Sequence, residues 1–221
     1  MAKRGVLFGT YDTAAQGWTL SGLALSEPLI KTNYVAVPGA DGDLDLSTAL
    51  TEGEPRYNSR TLTINLERSD RTRMERKAAI DTMTNWIDGW AMAIVLPDDP
   101  DRYMVGRPSV KMEYNDNAHA AVTVTAVVEP WRYTTEEKQV TFTATTAEQT
   151  VTLTNAGRRA VVPMLTIEGE GVFMLLTFGA ASWALSAGTY ALPDLRLTQG
   201  DATLTYSGTG TATLIWREAV L

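Results

Sequence analysis

The chain has 221 residues, a formal charge of −7 and a sequence pI near 4.8, and 44% of its residues are hydrophobic against 20% charged. That composition is too apolar for a disordered chain and too acidic for one whose main partner is a nucleic-acid backbone. The absence of cysteine removes disulfides, thiolate zinc sites, iron–sulfur clusters and cysteine nucleophiles together, and mildly favours assembly in a reducing cytosol.

In chain order, Met1-Ala2-Lys3-Arg4 gives a basic start, but Asp12 and Gln16 interrupt the apolar stretch before a signal-peptide core forms. No segment approaches the ~20 apolar residues of a membrane helix, so a soluble protein is expected. Residues 37–46 read as a turn at Gly39–Gly42 followed by a short strand, with Leu44 and Leu46 inward and Asp43 and Asp45 outward. Asp41, Asp43, Asp45 and Glu52 also occupy positions 1, 3, 5 and 12 of a calcium-loop template. Leu46 stands where that template needs glycine, and no helix precedes the loop, so the turn-and-strand reading is the simpler one.

Thr61–Glu67 alternates with period two, Leu62, Ile64 and Leu66 on one side. Thr72–Gly89 then reads as a helix, with Thr72 and Glu75 at capping-box spacing, Gly89 as its stop, and a stripe of Ala79, Ile80, Met83, Trp86, Ile87 and Trp90 covering a sheet. The basic cluster Arg68, Arg71, Arg73, Arg76 and Lys77 reads as the solvated face of that helix. Pro97–Asp101 and Asn115-Asp116-Asn117 are turn-rich links between strands, and Val122, Val124, Ala126 and Val128 form another buried face.

At Glu129-Pro130-Trp131-Arg132-Tyr133 the texture changes to Thr, Ala and Gly with little charge. Six short strands follow, at Gln139–Ala144, Thr150–Asn155, Val161–Glu168, Val172–Phe178, Thr203–Tyr206 and Thr211–Arg217, with Gly169–Gly171 and Gly208–Gly210 as turns. The fold class is therefore mainly β in two domains. Residues 1–133 form a β-rich domain with a single helix, and residues 134–221 form a β-sandwich.

Chemistry is hard to build from this chain. His119 is the single histidine, and no Gly-x-Ser-x-Gly elbow accompanies it. Neither glycine pair precedes a helix that would receive a phosphate. No local signature of an enzyme is present.

The order of elements resembles the phage distal tail protein family of long non-contractile tails. The stretch Val37-Pro38-Gly39-Ala40-Asp41-Gly42-Asp43-Leu44-Asp45-Leu46, followed by Asn58-Ser59-Arg60 and its strand, is similar to the family's N-terminal domain. The motif residues are Pro38, Gly39, Asp41, Gly42, Leu44, Leu46, Asn58 and Arg60. Gly188-Thr189-Tyr190 and Gly200–Arg217 are similar to its galectin-like second domain.

The resemblance implies a virion protein of the tail tip, made in the host cytoplasm, whose N-terminal domains close a hexameric ring. It implies as partners further copies of the chain, the tail-tube protein, the tape-measure protein and a tail-associated hub or lysin protein. No catalytic residue, metal or cofactor carries over. A carbohydrate-binding module of an adhesin is the alternative, with Trp183, Tyr190 and Tyr206 as stacking candidates; Trp216 alternates with Leu214 and reads equally as core. A β-sandwich enzyme is the third.

Overall fold

The computed structural model describes residues 5–51, 53–69, 72–116 and 118–221, in two compact units, Met1–Arg132 and Tyr133–Leu221. Glu52, Arg71, Asn117 and the basic start, all named above, lie outside the described residues, as does Asp70.

The first unit is built on an antiparallel sheet in the order β2-β1-β7-β8-β9-β6-β3. Its strands are β1 (Leu7–Phe8), β2 (Tyr11–Asp12), β3 (Thr19–Leu25), β6 (Arg60–Arg68), β7 (Met92–Leu96), β8 (Asp99–Asn115) and β9 (Ala120–Val128); β4 (Tyr34–Ala36) and β5 (Asp43–Asp45) form a separate hairpin between β3 and β6. The register sets Leu62 opposite Ala126, Ile64 opposite Val124 and Leu66 opposite Val122, so one face of the sheet is continuously apolar. All of these side chains are buried. The pleat sends Thr61, Thr63 and Glu67 to the other side.

The helix α1 (Arg73–Ile87) covers the apolar face, chiefly over β8. Its capping box is complete: Glu75 N donates to Thr72 Oγ1, and Thr72 N donates to Glu75 Oε2 at 2.9 Å. Gly89, with φ +75°, ends it.

The buried stripe is narrower than the sequence suggests. Ile80, Met83 and Ile87 enter the core, while Trp86 is 58% exposed and Trp90 65% exposed. At 3.6 residues per turn Trp86 sits about 90° from the middle of the buried stripe, and Trp90 lies beyond the helix. Arg76, expected outside, fills the place one turn before Ile80 and is 1% exposed.

The long strand β8 passes through Pro108 without breaking. There its partner on one side is β9, whereas β7 has already ended at the Met92–Gly106 pair. Pro108 O faces the vacated side, accepting from Gly89 N at 2.8 Å, so its missing N–H costs no ladder bond. Two positions on, Val110 N donates to Asp88 Oδ1 at 2.7 Å, which fastens the helix end to the strand. At the far edge, β3 shifts register between Leu20 and Gly22, where a Cβ on Gly22 would lie 2.8 Å from Asn65 Nδ2.

The second unit is a sandwich of two four-stranded sheets; β10 (Arg132–Thr134) marks the junction of the units. Sheet order is β11-β18-β13-β16 in one and β12-β17-β14-β15 in the other. The strands are β11 (Lys138–Thr143), β12 (Gln149–Asn155), β13 (Met164–Glu168), β14 (Met174–Phe178), β15 (Ala181–Leu185), β16 (Gly188–Ala191), β17 (Gly200–Gly208), β18 (Thr211–Trp216) and the short β19 (Ala219–Val220). Phe142, Leu165, Ile167 and Leu214 from one sheet meet Leu153, Met174, Leu176 and Leu204 from the other in a single core. The outer faces carry hydroxyls in register. Thr141, Thr213, Thr166 and Thr189 form a row across all four strands of one sheet, with hydroxyl contacts of 3.1 and 3.4 Å. Thr150, Thr205, Thr177 and Ser182 do the same on the other.

The core placement has a direct check. Met83→Ala or Ile87→Ala is expected to destabilise the first unit by about 2–5 kcal/mol, as buried large-to-small changes do. Trp86→Ala is expected to cost under about 1 kcal/mol. Denaturant unfolding of the three variants measures both.

Candidate functional site

The segment carrying the motif residues is an arm. Beyond β3 the ladder continues through Ser26 N to Thr61 O at 2.9 Å, Asn58 N to Leu29 O at 2.8 Å and Lys31 N to Arg56 O at 2.8 Å. It ends in the β4–β5 hairpin, paired Tyr34–Asp45, Val35–Leu44 and Ala36–Asp43. At the tip Gly39 and Gly42 take φ +85° and +75°, a left-handed backbone that side chains disfavour, and Pro38 enters the turn.

Arg60 anchors the base. It is buried, and its Nε donates to Ser26 O at 2.6 Å. Burial, with the Arg132 charge nearby, holds its pKa below the usual arginine value against the pull of Glu27. Asn58 contributes its backbone to the ladder and leaves its side chain exposed.

The inward placement expected for Leu44 and Leu46 is corrected. Leu44 is 52% exposed, and Val35, Val37 and Leu46 are exposed as well; among the described residues β4 and β5 form a two-stranded sheet of their own. Asp45 Oδ1 accepts from Ser47 N at 2.9 Å, and the Ser47 hydroxyl and amide hold the carboxyl below its ordinary pKa. Among the described residues no group of three or more His, Asp or Glu is placed to hold a metal.

A second exposed feature lies at the other end of the sheet. Arg73, Met74 and Lys77 of α1, with Met112 and Asn115 of β8, line an open groove of about 570 Å³. Arg76 builds it from beneath: its Nη2 donates to Asp116 O at 2.8 Å and its Nε to Asn115 Oδ1 at 3.3 Å. Asn115 Nδ2 donates in turn to Arg73 O at 3.0 Å. Asp116 Oδ1 accepts from Ala118 N and His119 N, both at 2.7 Å, closing the β8–β9 turn. His119 is exposed there, its backbone amide held by Asp116.

The aromatic candidates for sugar stacking turn toward the sandwich core. Register aligns Trp183 and Tyr206 with Leu176, and Tyr190 with Leu165, and both leucines are buried between the sheets. Tyr206 is 8% exposed, its ring 4.2 Å from that of Phe142; Trp183 and Tyr190 pack against the same core, and Trp216 is within it.

The sequence matches no family model and no curated protein. The fold does have solved counterparts. The crystal structure of the SPP1 Dit protein, described as a paradigm of the hub adsorption apparatus in phages that infect Gram-positive bacteria, matches over 99% of this chain and 99% of its own. Its TM-score is 0.68 at 16% identity. A chain of the phage P2 baseplate, in its activated conformation with Ca, matches over 99% of this chain and 98% of its own, with a TM-score of 0.50 at 8% identity. Identities this low make both a likeness of fold.

The Asp116 turn gives a pH prediction. Two backbone donors, His119 N first, lower the Asp116 pKa. A depressed carboxylate stabilises the fold fully above its unfolded pKa of about 3.9, and that contribution is lost as pH falls through the folded value. The gap in melting temperature between the native chain and Asp116→Ala is therefore expected to be constant near neutrality and to close below about pH 4.

Proposed function

We propose that this chain is a distal tail protein of a long non-contractile phage tail, a non-enzymatic hub at the tail tip. The observation that carries the reading is the end-to-end match of both units, in one chain, to the SPP1 Dit protein. The motif arm supports it independently, since an exposed apolar hairpin is expected of a subunit that finishes its surface against neighbours. In this reading the N-terminal units close a hexameric ring and the second units, galectin-like sandwiches, project outward. The ring joins the tail-tube protein to the hub or lysin protein, around the tape-measure protein. Assembly takes place in the host cytoplasm, and the product resides in the virion.

The inward aromatics speak against the adhesin module, whose sugar would need an exposed ring. Light scattering and negative-stain microscopy test the proposal. A closed ring is expected, alone or with the tail-tube protein, each contact burying on the order of 2,000 Å². A strictly monomeric chain at high concentration, with no ring when the tube protein is added, refutes it.

The two units are also proposed to be separate domains. A fragment from Thr134 to Leu221 is expected to melt cooperatively with a strand-type circular dichroism spectrum and to remain monomeric. A disordered fragment would mean that the halves depend on one core, and a ring formed by the fragment would reverse the division of labour.

A further inference from the structure

Trp86, the tryptophan that α1 keeps out of the core, stands at a cleft of about 150 Å³ that it lines together with Thr10, Tyr11, Gln16 and Thr82. Side chains of a helix lean toward its N-terminus, so the indole covers the turn that carries Thr82, four residues earlier. Thr10 comes from the turn between β1 and β2, and Gln16 from the loop that follows β2. Tyr11, buried between them, forms the floor. Among the described residues the Trp86 ring meets no other aromatic ring.

The loop is held by its own backbone. Gln16 N donates to Asp12 O at 3.1 Å, Gly17 N to Ala14 O at 3.0 Å and Ala14 N to Asp12 Oδ1 at 2.9 Å. Gln16 O accepts from Arg68 Nη1 at 2.7 Å. The side-chain amide of Gln16 is left exposed, and neither it nor the Thr10 hydroxyl has a hydrogen-bond partner among the described residues. The Thr82 hydroxyl donates to Ala78 O at 2.9 Å, which leaves its oxygen open to accept.

No side chain lining this cleft is charged. An indole face beside neutral donors and acceptors matches a sugar ring, which is apolar on its C–H side and carries hydroxyls at its rim. A nucleotide would stack on the same indole, but its phosphate would meet no cation in the lining. We propose that Trp86 is the stacking platform of a site for a neutral sugar ring, with Gln16, Thr10 and Thr82 meeting its hydroxyls. The Gln16 amide both donates and accepts, Thr82 accepts, and Thr10 does either. The site lies on the first unit and shares no residue with the inward aromatics of the second. It goes beyond the hub reading and does not depend on ring closure.

Saturation-transfer NMR on the full chain tests the site, with glucose, galactose and N-acetylglucosamine as probes and adenosine beside them. At least one sugar is expected to receive saturation, and the transfer is expected to fall tenfold or more in Trp86→Ala. Trp86→Phe is expected to keep part of it, because a smaller aromatic face remains. Gln16→Ala is expected to weaken binding roughly three- to tenfold, the loss of one hydrogen bond. Trp90→Ala removes an exposed tryptophan that does not line the cleft and is expected to change nothing. Each variant is checked for a native-like melting temperature. Transfer to none of the three sugars, or transfer that survives unchanged in both Trp86→Ala and Gln16→Ala, overturns the proposal. Transfer to adenosine alone makes the indole a platform for bases and overturns it as well.

Discussion

The first unit depends on a buried guanidinium. Arg76 sits in the first turn of α1, where the helix dipole disfavours a cation, and it is almost wholly removed from water. Its position holds because fixed oxygens meet it: Asp116 O and Asn115 Oδ1, both at the β8–β9 turn. Asn115 then returns a hydrogen bond to the helix backbone. The helix start is thus tied to the turn at one end, and at the other Asp88 and Gly89 bind Val110 and Pro108 of β8. A helix held at both ends lies along β8 in one position, and that position creates the groove. Replacing Asn115 would leave the buried Arg76 short of an acceptor, which is why helix start and turn act as a unit.

Much of this was legible in the sequence. Leu62–Leu66 and Val122–Val128 alternate cleanly because each strand has one face on the core, and period two is the direct imprint of that asymmetry. The capping box of α1 was legible because its donors and acceptors are three residues apart. What escaped depends on partners distant in sequence. Arg76 looks like surface until Asn115 and Asp116 arrive 39 and 40 residues later. Trp86 looks like core because a wide stripe and a narrow one differ by a small rotation about the helix axis. Leu44 and Leu46 carry the alternation of a buried strand, and no sequence pattern reveals that nothing packs beneath them. The strands β1, β2, β15 and β16 are two to five residues long, too short for periodicity to register.

The two units solve the same surface problem differently. In the second, the outer faces are finished by rows of hydroxyls that hydrogen-bond to each other across strands. Met164 and Leu175 stand exposed on strands of the same unit. In the first, the arm and the groove leave apolar side chains in water.

The register shift in β3 bears on the open edge of the first unit. As the last strand of its sheet, β3 offers a row of open backbone groups to any extended chain it meets, the template from which aggregates grow. The shift between Leu20 and Gly22 twists that row out of alignment, and the side chain of Asn65 occupies the space a Cβ at Gly22 would need. The bulge makes that edge a poorer template for a stray strand than a straight one would be.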